Sequence, residues 1–248
     1  MKIIQPKIII ASPVTVMKLN NPDTVIEFLA DCARVSYQSF EKKNGIETER
    51  RLVRNCVKNG HTSILEHDCL TFDIITSRSI SHELVRHRMA SYVQESTRYV
   101  QYDGDKAECT YIEPIFRKEE LYDIWKRSCE QNEKDYTELR QAGAQPQEAR
   151  DVLNNSFKTQ IRITRNFRAM REFLELRCAK PAHPEVKILA IPMLFLMLEK
   201  WPEIFEGIDW DEEFAEKYLY ENRWRQYIDV RPGLIENQPK RIELVEEG

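Results

Sequence analysis

Glycine is scarce: there are seven in 248 residues, and they form neither a G-x-G-x-x-G nor a P-loop pattern. A backbone cradle for phosphate is therefore excluded, and any nucleotide has to be held by side chains. Long apolar runs are absent too. The most hydrophobic segment, Val186 to Leu198, is broken by Lys187 and Pro192. It falls short of the ~20 apolar residues that a membrane-spanning helix needs, so it reads as a buried helix and no membrane is expected as partner. Six cysteines, at 32, 56, 69, 109, 129 and 178, show no C-x-x-C pair and no metal-type spacing; we read them as reduced core thiols. Met1 to Pro6 lacks the apolar stretch and cleavage site of a signal peptide, which makes the cytoplasm the expected compartment. A basic surplus is missing as well, since the formal net charge is -4. That argues against nucleic acid as partner and leaves local cation clusters to bind compact anions.

The length suits one domain with a substantial core. We place it at residues 1–231, followed by a polar tail, 232–248, held loosely. Residues 7–19 mix Ile8, Ile9, Ile10, Val14 and Val16 around Ser12-Pro13, which suits one or two short strands broken at the proline. Asn21-Pro22 starts a helix with Val25, Phe28, Leu29 and Cys32 at helical spacing, and another runs from about Glu47 to Lys58 before Asn59-Gly60 stops it. Thr62 or Ser63 caps a short turn. Cys69 to Thr76 and Phe157 to Ile163 alternate as strands. Helices are expected at Ser79–Arg88, at Lys118–Ala142 with Leu121, Ile124, Trp125, Ser128, Asn132 and Leu139 near one stripe, from Pro146, and at Arg168–Arg177. Few strands among many helices predict an α+β fold: a small mixed or antiparallel sheet packed against several helices.

The chemistry concentrates in Arg86-His87-Arg88-Met89-Ala90-Ser91-Tyr92-Val93-Gln94-Glu95-Ser96-Thr97-Arg98-Tyr99. Guanidinium forks match phosphate and carboxylate oxygens, so this density points to a bulky, multiply anionic small molecule. A second cluster follows: Arg150, Arg162, Arg165, Arg168, Arg171 and Arg177. Four histidines, at 61, 67, 82 and 87, raise the question of a metal. Their spacings miss i, i+4 and no local carboxylate completes a set, so no metal is expected. Ser96 lacks a glycine elbow and is read as a hydrogen-bonding hydroxyl rather than a nucleophile. Cys178 is read as a buried apolar group.

Arg86-His87-Arg88, then seven residues, then Ser96, resembles the signature of the flavin-dependent thymidylate synthases. Gly60-His61-Thr62-Ser63 with Glu66-His67, Ser81-His82-Glu83-Leu84-Val85, Arg98-Tyr99, Ala149-Arg150, Asn166-Phe167-Arg168-Ala169 and Phe173-Leu174-Glu175-Leu176-Arg177 resemble further blocks of that family, in order. The resemblance covers roughly residues 7–205. It implies a homotetramer with shared active sites, which transfers a methylene from 5,10-methylenetetrahydrofolate to dUMP and reduces it with FAD that NADPH has reduced.

By the same resemblance His61, Ser63, Arg86, His87, Arg88, Gln94, Asn166, Arg168 and Glu172 contact FAD. Glu83, Arg86, Gln94, Glu95, Ser96, Thr97, Arg98, Arg150 and Arg177 contact dUMP, and Arg177 is the catalytic residue that assists ionisation of the uracil N3. A cation beside the ring would push electron density toward C5 and remove the need for an attacking cysteine. Two positions depart from the family: Val93-Gln94 stands where many members carry Asn-Glu, and Asn154 follows Leu153 where a proline is common. Two other readings are a non-catalytic nucleotide- or RNA-binding module and a flavin reductase that only oxidises NADPH.

Overall fold

The computed structural model describes residues 1–104, 107–115, 118–219 and 223–230. The expected tail at 232–248 lies outside the described residues. In chain order come β1 (Lys2–Ile4), β2 (Lys7–Ile10), α1 (Pro13–Asn20), α2 (Asp23–Val35), α3 (Ile46–Lys58), β3 (Cys69–Ser77), α4 (Arg78–Leu84) and β4 (Ser91–Gln94). They are followed by β5 (Asp103–Gly104), β6 (Ala107–Glu108), β7 (Thr110–Ile112), α5 (Glu119–Gln141), α6 (Pro146–Ala149), β8 (Lys158–Asn166), α7 (Phe167–Arg177), α8 (Pro184–Lys200), α9 (Pro202–Phe205), α10 (Glu212–Leu219) and β9 (Ile228–Val230). Five strands form one sheet in the order β4-β8-β3-β2-β9, and the rest of the described chain is mainly helical. This is the expected α+β class.

Two compact units divide the chain. The first comprises residues 1–7, 74–87 and 92–162; the second comprises 8–73, 88–91 and 163 onward. In the first unit β1 lies parallel to β7 with Lys2 opposite Thr110. Its core gathers Tyr102, Cys109, Tyr111, Trp125, Cys129, Tyr136, Ala149 and Phe157. The Phe157 ring meets Tyr102 and Tyr111 edge-on, with centroids 4.8 and 5.4 Å away, a favoured aromatic geometry. The α5 stripe differs from the expected one. Trp125, Cys129 and Tyr136 face inward while Leu121 and Ile124 are exposed, because the aromatic rings bury more area than the aliphatic residues one row away. Asn154 closes the turn after Leu153: its Oδ1 accepts the Ser156 N–H at 2.9 Å, doing the stopping that a proline would do.

In the second unit β2 runs parallel to β9, Ile8 opposite Ile228. The expected strand across 13–19 is instead helix α1. Ser12 accepts the Thr15 N–H and Pro13 takes the first helical position, a start signal that outweighs the β-branched content. α2 packs on α3 around a buried bidentate pair, Arg34 to Glu49, with N···O distances of 2.8 to 3.2 Å. Phe28, expected inward on α2, is exposed, and Ile26 and Ala30 are buried with Val25 and Leu29. α8 forms a continuous buried helix through Pro192. The thiols are all free, but only Cys109, Cys129 and Cys178 are buried; Cys69 is exposed.

Candidate active site

Within the first unit, the turn after β4 is the centre of a dense polar network. The Glu95 carboxylate accepts the Tyr102 hydroxyl at 2.9 Å through one oxygen, and Lys158 Nζ at 2.7 Å and the Gln160 N–H at 3.0 Å through the other. Its own N–H donates to the Gln160 carbonyl at 2.8 Å. With burial and the Glu95 charge both opposing ionisation, the Tyr102 phenol is held well above its usual range. Glu95 is thus bound from three sides and fixes the chain at the entry to the turn.

Directly after it, Ser96 Oγ accepts the Arg98 N–H at 3.3 Å, and the Ser96 carbonyl accepts the N–H groups of Tyr99 and Val100. Arg150, half a hundred residues on, donates to Thr97 Oγ1 at 3.4 Å, and Arg98 Nε donates to Gln147 Oε1 at 3.0 Å. The capping box of α6, in which Gln145 and Glu148 satisfy each other's backbone donors, sets the register that brings Gln147 and Arg150 to this turn. Ser96, Thr97, Arg98 and Arg150 therefore stand together.

Gln94 explains one departure from the family pattern. Its Nε2 donates to Ser81 Oγ at 3.0 Å and to Thr159 Oγ1 at 3.1 Å. The Ser81 hydroxyl spends its own proton on the Arg78 carbonyl at 2.8 Å, so toward residue 94 it presents a lone pair. An amide N–H fits that lone pair, whereas a carboxylate would face it oxygen to oxygen.

The helix expected over Ser79–Arg88 starts at Arg78, capped by Ser77, and ends at Leu84. Glu83 stays on the helix, and Arg86-His87-Arg88 lies beyond it. Tyr92 fastens this loop: its hydroxyl lies 2.7 Å from the Leu84 carbonyl and 2.5 Å from that of His87. Arg86 and Arg88 are exposed and His87 is partly buried. Reading the residues alone missed Tyr92, Ser81, Thr159, Gln147 and Lys158; Tyr92 carried a signal from its place inside the motif, and Ser81 from opening a family-like block.

A second cluster belongs to the second unit. Asn166 caps α7, its Oδ1 accepting the Ala169 N–H at 2.8 Å. Within the first turn, Arg168 donates to Glu66 at 2.6 Å and to Glu172 at 3.3 Å. Hydrogen bonding to Glu66 raises the Arg168 pKa above its ordinary value. Glu66 closes the short 3-10 helix Thr62–Glu66 that carries Ser63, and His61 is its N-cap. Contrary to expectation neither Thr62 nor Ser63 caps this turn; no side-chain cap bond forms. His61, Ser63, Asn166, Arg168 and Glu172 are thereby gathered from segments a hundred residues apart. Arg177 is the last residue of α7 and is partly buried.

Residues 15–203 match the family model described as thymidylate synthase complementing protein. A flavin-dependent thymidylate synthase of Pyrococcus furiosus is 35% identical over 196 residues, 75% of this chain and 80% of that one. The chain belongs to the flavin-dependent thymidylate synthase family. Another member, from Mycolicibacterium vanbaalenii, is 34% identical over 203 residues, covering 75% of this chain and 79% of its own length. The fold is similar to that of the UMP/dUMP methylase PolB from Streptomyces cacaoi, solved with 5-Br dUMP, at a TM-score of 0.67 and 21% identity, over 83% of this chain and 96% of that one.

The donor chemistry of the second cluster fits the family's flavin dinucleotide. Arg168 stands in the first turn of an eleven-residue helix, where the helix end and the guanidinium both favour phosphate oxygens. Ser63 and His61 are exposed on the chain segment that Glu66 ties to Arg168. Among the described residues no helix is long and apolar enough to cross a membrane.

Proposed function

We infer that this protein is a flavin-dependent thymidylate synthase, which methylates dUMP to dTMP with 5,10-methylenetetrahydrofolate as carbon donor and NADPH as reductant. The observation that carries the assignment of residues is the turn at Ser96–Arg98, where Thr97 and Arg98 are bonded to the α6 segment that bears Gln147 and Arg150. Hydroxyl and guanidinium donors collected on a turn that Glu95 makes rigid suit a nucleoside monophosphate.

We assign Ser96, Thr97, Arg98 and Arg150 to the nucleotide phosphate and sugar, with Glu83, Arg86, Gln94 and Glu95 completing the set. Glu95 acts by shaping the turn, since both its oxygens are engaged within the chain. Arg177 stabilises the N3-deprotonated uracil and so makes C5 nucleophilic; its positive charge does the work that a covalent thiolate would do elsewhere. The buried Cys178 beside it has its thiol pushed well up by desolvation and stays protonated, which agrees with that division of roles.

We assign His61, Ser63, Arg86, His87, Arg88, Gln94, Asn166, Arg168 and Glu172 to FAD. When bound, FAD supplies the hydride that reduces the transferred carbon; the chain's part is to orient it and to neutralise its phosphates. The assembly we propose is a homotetramer with active sites shared between subunits, in the cytoplasm, where its six free thiols remain reduced.

The test is anaerobic turnover with 5-tritiated dUMP, methylenetetrahydrofolate and NADPH. Yellow protein that bleaches with NADPH and releases tritium only when folate is present is the expected result. NADPH oxidation without tritium release would reduce the protein to a flavin reductase, and colourless protein that takes up no FAD would leave only a nucleotide-binding module.

A further inference from the structure

Lys187 is the one charged side chain among the buried residues of α8. Its Nζ bonds to Asp211 Oδ2 at 2.6 Å and to the Lys180 carbonyl at 3.2 Å, over the Phe214 ring at 4.8 Å. Both ends of the ion pair are under a tenth exposed. Burying two charges costs desolvation that well-packed apolar residues avoid, so such a pair is weak support for stability. Its position suggests a different use.

Two bonds of this cluster lead back to the residues that follow Arg177. Asp211 N–H donates to the Cys178 carbonyl at 2.9 Å, and Asp211 Oδ1 accepts the Phe214 N–H at 3.1 Å, which ties the same residue to α10. Lys187 holds the Lys180 carbonyl, and Ala182 N–H closes on the Ala179 carbonyl at 2.9 Å. Cys178 N–H still completes α7 through the Leu174 carbonyl. The last turn of α7 is thus fastened on its outgoing side by two carbonyl anchors, one from each member of the pair. Burial disfavours the charged form of Asp211, but Lys187, the Phe214 N–H and Lys180 outweigh it and hold its carboxyl below the ordinary value.

We propose that Lys187 and Asp211 are positioning residues for Arg177: Lys187 holds the Lys180 carbonyl through Nζ, and its ion pair with the Asp211 carboxylate keeps the Asp211 backbone N–H against the Cys178 carbonyl, so that together they set where α7 ends and with it the place of the Arg177 guanidinium. This rests on the assignment of Arg177 to uracil ionisation. A displacement on the order of 1 Å is enough to lower a rate about a hundredfold, so anchoring two carbonyls beside the reacting residue matters more for turnover than for folding.

The test compares Lys187→Met, Asp211→Asn and the double variant in FAD-loaded protein, with kcat and KM for dUMP taken from tritium release and Tm from thermal melts. Asparagine retains the bond to Phe214, and the double variant removes both charges, so its Tm should recover from those of the single variants. The expected result is a kcat lowered about tenfold or more in all three, with KM and FAD content within about twofold. Glu213→Gln, which touches only the exposed Lys180–Glu213 pair, should leave kcat unchanged. A double variant whose kcat per folded, FAD-loaded protein returns to the wild-type value would overturn the proposal and leave the pair a fold staple. Arg177→Ala is run alongside: wild-type tritium release from it would bring down the assignment of Arg177 itself, whereas an inactive Arg177→Ala beside a fully active double variant would bring down only the positioning role.

Discussion

Glu95 in the first unit and Arg168 in the second are both charged and both bonded to oppositely charged groups, yet their surroundings differ. The Glu95–Lys158 pair is 14% and 22% exposed, and backbone and phenol donors complete its acceptor sites. Arg168 is 44% exposed, and its partners Glu66 and Glu172 are 46% and 54% exposed. The first arrangement has partners already in place on every side, and so it fixes a shape. The second is solvated and screened by salt, and so it can exchange a carboxylate for a phosphate oxygen at small cost. The turn proposed for the nucleotide is rigid by construction, while the proposed flavin cluster holds its arginine with replaceable partners.

The largest effect should come from Arg177, whose charge we propose acts on the reacting ring. Arg177→Ala is expected to lower kcat by about 10³-fold, the upper range for removing one preorganised electrostatic contact, while FAD stays bound. Equal loss of flavin would move Arg177 out of the nucleotide set and blur the contrast between the clusters.

Glu95→Ala comes next. Removing one partner of a largely buried pair costs about 3 kcal/mol of stability, which an ordinary domain survives. With the turn unanchored, KM for dUMP should rise roughly 30-fold while the flavin spectrum is unaltered. Isothermal titration with dUMP checks this; unchanged affinity would show that Ser96–Arg98 holds its shape without Glu95.

Gln94→Glu tests the committed proton on Ser81. A carboxylate there meets a lone pair where the amide donated, and an unmet buried contact of this kind costs about 1–3 kcal/mol. Turnover about tenfold lower is expected, with recovery when Ser81 is changed to Ala in the same chain, since the opposing lone pair is then gone. Wild-type turnover from the single variant would mean that the hydroxyls reorient freely.

Much of this was legible from the residues. Asn59-Gly60 marked the end of α3, with Gly60 at φ 75°, and the alternation of Leu70, Phe72 and Ile74 marked β3. Arginine density drew attention to the stretch that contains the turn at Ser96–Arg98, which we propose for the nucleotide. What stayed hidden depended on distance along the chain or on a few residues. β4 is four residues long, too short for a period to show. Lys158 becomes the partner of Glu95 only when β8 lies beside β4, 63 residues away in sequence. The role of Lys187 was hidden for a related reason: within α8 it looks like an interruption, and only Asp211, 24 residues on, gives it a purpose.

The smallest effect, and the sharpest test of the contrast, is Glu66→Gln. Glu66 bonds Arg168 at 2.6 Å, but both groups are solvated, so Tm should stay at the wild-type value. The bond that Arg168 loses is one that a phosphate would otherwise have to displace. FAD affinity should therefore hold or tighten, on the order of twofold, and the gain should fade in high salt. Fluorescence titration of deflavinated protein with FAD reads this directly. A marked weakening would show that Glu66 orients Arg168 for the flavin as firmly as Lys158 holds Glu95, and the two clusters would then be built on the same plan.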